Sequence, residues 1–206
     1  MDLFLIDAIG PFFRGLKKKR INWSKIPFTH LSTSAESWQC IQKEMHRFCQ
    51  QVAALGYNAV TLDDVSHVFP HPLHEPEIAE NISFWRGQFR ELFAIIRSYG
   101  LAVYLTVDAV PMTAAIAHEL AGDDDATETY FCRMLESTLR DFPNLAGIVL
   151  RIGESDGKDV RDPLRSHLHV KSAAQANQLL LRLLPIFERE NRTLIFRTWT
   201  VGAHGS

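Results

Sequence analysis

Short runs of apolar residues alternate along the chain with longer stretches in which apolar residues recur every three or four positions. The runs Asn58-Ala-Val-Thr-Leu-Asp-Asp-Val65, Leu101-Ala-Val-Tyr-Leu-Thr-Val-Asp108, Leu145-Ala-Gly-Ile-Val-Leu-Arg-Ile152 and Thr193-Leu-Ile-Phe-Arg-Thr-Trp-Thr200 are nearly continuous. That is the pattern of parallel strands covered on both faces. Ile26-Pro-Phe-Thr-His-Leu-Ser32 reads as a strand before them. Between the runs, Trp38, Ile41, Met45, Phe48, Val52 and Leu55 line one side of a helix opened by a Thr33–Glu36 capping box and stopped by Gly56. A second helix is built on Trp85, Phe89, Leu92, Phe93 and Ile96 and ends at Gly100. A short helical piece from Ala114 to Leu120 precedes a third, which carries Tyr130, Phe131, Met134, Leu135 and Leu139. The acidic turn at its head, Asp123 to Asp125, complements the helix dipole and needs no chemical role. Ser172 and Gln175 cap a fourth helix with Leu179, Leu180, Leu183, Leu184 and Phe187 on one side.

Strands alternating with helices imply an α/β fold with a parallel sheet. Strand centres near Val60, Val103, Ile148 and Ile195 recur about every 45 residues, a supersecondary period. Two architectures fit, an open doubly wound sheet and a closed barrel. No strand runs into a glycine-rich phosphate loop, and every strand ends in polar residues, which favours a barrel. A TIM-type (β/α)8 barrel has eight strands and about 250 residues. Five strands and four helices in 206 residues therefore read as one incomplete (β/α) barrel, the amino-terminal part of a longer fold, with residues 1–25 as a lead-in strand or loop. The expectation is a fragment, a truncated product or a piece completed by a partner. Its open sheet edges would favour self-association.

Composition narrows the possibilities without naming a function. A hydrophobic share of 46% and a net charge of −2 fit a soluble globular protein. The one basic run, Lys17 to Arg20, lacks interleaved aromatics and reads as a solvated turn, so neither nucleic acid nor membrane is an expected partner. Absence of a leader pattern suggests a cytoplasmic chain. Cys40, Cys49 and Cys132 do not form metal-type pairs and read as reduced core thiols.

In a parallel barrel the polar strand ends converge on one rim. They are Thr29 and His30, Asp63 and Asp64, Asp108, Glu154 with Asp156, and Arg197, Thr198 and Trp199. Carboxylates to hydrogen-bond hydroxyls, an aromatic face for a sugar ring and a carboxylic acid for a glycosidic oxygen suit a carbohydrate ligand. The Arg151-Ile-Gly-Glu154 run and the later Phe196-Arg-Thr-Trp199 strand end resemble barrel-type glycoside hydrolases, most nearly those related to the α-glucuronidases. The resemblance implies that Glu154, at the end of the fourth strand, is the general acid. It also implies that the second carboxylate often comes from a later strand, leaving Asp108 or Asp64 as the local substitutes. His30, Asp63, Asp64, Arg151, Asp156, Arg197 and Trp199 would then line the sugar site. Gly153 stands where an Asn commonly precedes the acid in the largest clan of such enzymes.

No cofactor or metal is expected. A metal-dependent barrel could use Asp108 and Glu154, but the fifth strand ends without a carboxylate. The histidine-rich loop with His67, His71, His74 and Glu75 is a weaker metal candidate. The alternative function is a catalytically inactive barrel or sugar-binding relic that self-associates.

Overall fold

The computed structural model describes residues 2–8, 35–152, 163–167 and 169–197. Its main sheet has five strands, β1 (Leu5–Asp7), β2 (Ala59–Asp63), β3 (Ala102–Ala109), β5 (Gly147–Ile152) and β7 (Thr193–Arg197). All are parallel, in the order β1-β2-β3-β5-β7. Among the described residues five α-helices alternate with them: α1 (Ala35–Ala54), α2 (Pro76–Ser98), α3 (Ala114–Glu119), α4 (Asp124–Asp141) and α5 (Ala173–Arg189). The result is a curled half-barrel, an incomplete (β/α) barrel. The place beside β2 belongs to Leu5–Asp7, from the stretch read as a lead-in. The strand expected at Ile26–Ser32 lies outside the described residues, as does the Lys17–Arg20 run.

Why these segments form these elements follows from which side chains they bury. Along β2, β3 and β5, alternate residues point towards the helices. Val60, Leu62, Val103, Leu105, Val107, Ile148 and Leu150 share one buried cluster with Trp85, Phe89, Phe93 and Phe131. Most of α2 is organised for that purpose. Trp85 packs edge-on to Trp38 and to Phe89, each with ring centroids 5.2 Å apart, and Phe93 carries the series on to Phe142 at 5.6 Å. Such offset aromatic contacts add to the gain from burial. The expected cap at Ser172 is present, its hydroxyl accepting from the Gln175 N–H at 3.2 Å, and Asp123 of the acidic turn also caps its helix, accepting from the Ala126 N–H at 2.9 Å; Thr33 lies outside the described residues. Gly56 takes the left-handed φ of 89° that ends α1.

Gly147 has a different task. A Cβ there would lie 1.9 Å from the Thr193 carbonyl oxygen and 2.9 Å from the Tyr104 ring, so only glycine lets β7 and that ring approach β5 together.

Several expectations give way. Leu55 is 75% exposed, because α1 stops at Ala54 and the chain turns before the leucine can reach the core. Leu184 is 44% exposed, so the buried face of α5 is narrower than the leucine run suggests and rests on Leu179, Leu183, Ile186 and Phe187. Cys40 is exposed rather than a core thiol, whereas Cys49 is buried and its thiol pKa is pushed up to about 12 by burial. One feature has no counterpart in the sequence pattern: β4 (Pro111–Met112) and β6 (Arg165–Ser166) pair antiparallel. Val110 and His167 exchange backbone hydrogen bonds of 3.0 and 2.9 Å beside them. This ribbon ties the chain after β3 to the chain after β5. No helix among the described residues is long and apolar enough to cross a membrane.

Candidate functional site

The residues that do not face the helices face the hollow of the half-barrel. Ala59, Tyr104 and Val149 form a separate small buried cluster there, and the ring of Tyr104 closes its floor over Gly147. Above them the surface turns polar. A Thr-x-Asp motif closes β2, as Thr61-Leu-Asp63, and stands one residue before the end of β3, as Thr106-Val-Asp108. The parallel pairing offsets the two motifs by two residues, so that Asp63 is registered with Thr106 and Asp108 with Arg151. Barrel strands are staggered in this way, and the stagger brings side chains from three strands to one level.

Five buried polar side chains meet there: Thr61, Asp63, Thr106, Asp108 and Arg151. Thr61 and Thr106 hydrogen-bond through their hydroxyls at 2.6 Å. Arg151, 2% exposed, straddles Asp108: its Nε lies 2.8 Å from Oδ1, and its Nη2 donates to Oδ2 at 3.4 Å. The same Nη2 lies 3.5 Å from Oδ1 of Asp63. Asp63 is buried, and neither of its oxygens takes a hydrogen bond among the described residues. Its pKa is raised to about 8, first by burial; Arg151 opposes the shift, and Asp64, Asp7 and Asp108 add to it. Beside this cluster is a concavity of ≈ 340 Å³, lined in part by Asp7, Thr61, Thr106, Val149 and Arg197.

The residues expected to form the site divide into those brought together and those not described. Arg151 contacts both Asp63 and Asp108. Arg197 is registered with Arg151 on the next strand and lines the concavity. Asp64 is buried at the head of a tight turn, Val65–His67, where its Oδ1 accepts from the Ser66 N–H at 2.8 Å. Glu154, Asp156, His30 and Trp199 lie outside the described residues. Of the histidines in the loop after β2, His67 stacks on Trp85 of α2 with centroids 5.1 Å apart, while His74 Nδ1 accepts from the His71 N–H and His71 Nδ1 from the Leu73 N–H within the loop. Among the described residues, no group of three or more His, Cys, Asp or Glu could hold a metal ion.

The threonine pair and Asp7 are the members that strand-end reasoning misses. A signal for the threonines exists, since each is a polar residue inside an apolar run, two positions before the acid. Asp7 had none, because a three-residue strand shows no period.

No protein family matches the chain, and no curated protein matches it. Solved structures do. A GH138 enzyme targeting pectin rhamnogalacturonan II aligns with 84% of this chain and 20% of its own, at 11% identity and a TM-score of 0.55. A GH5_18 protein from Bifidobacterium longum subsp. infantis aligns over 85% and 42%, at 14% identity and a TM-score of 0.54. GH5_18 from Streptomyces cattleya, solved in complex with GlcNAc, aligns over 79% and 41%, at 23% identity and a TM-score of 0.47. The chain thus spans less than half the length of each. At these identities the likeness is one of fold, the curled parallel sheet with its alternating helices.

Proposed function

We propose that this half-barrel carries part of a carbohydrate site of the glycoside hydrolase type. The observation that supports the reading best is the contact of Arg151 with both Asp63 and Asp108, which brings three polar side chains from three strands together, buried at the carboxyl ends of a parallel sheet. In barrels that end is where ligands bind. The glycoside hydrolases among the structurally similar proteins make sugars the first ligand class to test.

Glu154 follows β5 by two residues and takes the role of general acid towards the glycosidic oxygen. Asp108, held in an ion pair by Arg151, suits the ionised role of base or nucleophile. His30, Asp63, Asp64, Asp156, Arg197 and Trp199 complete the sugar-binding set. A likeness to α-glucuronidase-type barrels remains a reading of the two sequence motifs, since the similar structures above belong to GH5 and GH138. Among the described residues β1 and β7 are the outer strands of the sheet, and theirs are the edges through which a second chain would add.

Assaying the purified chain on aryl glycosides and aryl uronides, wild type against Glu154→Gln, tests the assignment. Loss of general acid catalysis costs about 100-fold or more in rate. Equal rates for the two proteins would remove Glu154 from that role. Equal background rates with sugar binding retained would make the domain a binding module.

A further inference from the structure

A second concavity, of ≈ 580 Å³, opens between α3, α4 and the loop that follows β2. It shares no lining residue with the hollow of the half-barrel. Ala126, Tyr130 and Arg133 recur at helical spacing along one side of α4, α3 ends after six residues, and residues 71–73 line the space beside them. Pro72, Leu73, Ile116, Leu120 and Tyr130 supply apolar surface, and Leu73 is left 41% exposed.

The polar groups of this lining are unequally engaged. Asp125 pairs with Arg182, Thr129 accepts from the same guanidinium, and Asp123 caps α4. His71, Arg133 and Glu119 differ. His71 Nδ1 accepts from the Leu73 N–H at 3.3 Å, which puts the ring proton on Nε2. Burial, and then the charge of Arg133, hold the His71 pKa below its ordinary value, so the ring is neutral at pH 7. Among the described residues nothing bonds its Nε2, and neither Arg133 nor Glu119 has an ion-pair partner. Either donor alone would be an ordinary solvated side chain. Together, a guanidinium and a neutral N–H beside an apolar surface match one negative charge, and the two oxygens of a carboxylate can take both. Glu119, Asp123 and Asp125 in the same lining disfavour a doubly charged group.

We propose that this cleft binds a small monocarboxylate with an apolar body, its carboxylate held by Arg133 and the His71 Nε2–H and its apolar part laid over Leu73, Leu120 and Tyr130. The volume lies in the range of small-molecule sites, about 300–1,000 Å³. The site stands whether or not the hollow binds sugar.

The test titrates hydrocinnamate, its neutral isostere hydrocinnamamide and phenethyl phosphate into the isotope-labelled full chain at pH 7, following the resonances of Leu73, Leu120 and Thr129. Hydrocinnamate should bind saturably with millimolar affinity, as suits so small a ligand. The amide should bind about tenfold more weakly, since it forfeits the charged hydrogen bonds, and the phosphate less tightly than hydrocinnamate. Arg133→Gln, a change at an exposed position, should weaken hydrocinnamate about tenfold and leave the melting temperature unmoved. Binding should also raise the titration midpoint of the His71 ring, because a carboxylate beside it favours the imidazolium. A merely structural histidine would show no such shift. The proposal is overturned by equal binding of acid and amide, by unchanged affinity in Arg133→Gln, by a His71 midpoint that does not move, by phosphate bound as tightly as hydrocinnamate, or by no saturable shift with hydrocinnamate at tens of millimolar.

Discussion

On the helix side of the sheet, Val60, Leu62, Val103, Leu105, Ile148 and Leu150 vanish into an aromatic and aliphatic cluster. On the hollow side, one residue along each strand, stand Thr61, Asp63, Thr106, Asp108 and Arg151. Both sets are buried. They are held by different physics: the first by volume and close packing, the second by polar contacts such as Thr61 with Thr106 and Arg151 with Asp108. A change on the first side is therefore felt through the cavity it leaves. On the second it is felt through the group it leaves alone.

Three measurements sharpen that contrast. Phe89, fully buried between Trp85 and Phe93, should cost about 3–5 kcal/mol on truncation to alanine in denaturant unfolding, with little dependence on pH. A loss below about 1 kcal/mol would mean that this face is not packed as described.

The hollow side should instead show a pH signature. Asp63 holds its proton to about pH 8 when folded, against an ordinary value of 3.8. Unfolding between those values releases a proton, so this group's contribution is fully present below pH 3.8 and is lost as pH rises towards about 8. Asp63→Asn should flatten that decline in a series of melts. An unchanged slope would contradict the assignment.

Smallest in effect is Thr106→Val. It removes one hydroxyl of the 2.6 Å pair and strands the other, Thr61, in a buried position, at a cost of about 1–3 kcal/mol. Replacing both threonines by valine should cost less than the two single changes summed.

How much of this could be read from the sequence depended on the length of each segment. β2, β3, β5 and β7 were legible because each is a continuous apolar run, and α2 because Trp85, Phe89, Leu92, Phe93 and Ile96 keep a helical spacing over three turns. The β4–β6 ribbon was not, since two residues carry no period. Nor was the edge position of Leu5–Asp7, which depends on a parallel partner more than fifty residues away. Asp63, Asp108 and Arg151 stood out as polar residues closing apolar runs. Their contact through Arg151 required the strand register, and the protonation of Asp63 required knowledge of what buries it. Asp64, adjacent in sequence, took up the cap of a turn, a distinction that two neighbouring aspartates cannot reveal by themselves.

The central claim is that the polar row at the ends of β2, β3 and β5 is where a sugar binds. Its most direct test is to titrate uniformly isotope-labelled protein with the methyl glycosides of glucose, N-acetylglucosamine and glucuronic acid at pH 7 and map the perturbed resonances. The account predicts shifts at Asp63, Asp108, Arg151 and Arg197, with Phe89, Phe93 and the rest of the helix side unmoved. Saturable binding that perturbs another surface and leaves those four residues unchanged would contradict it.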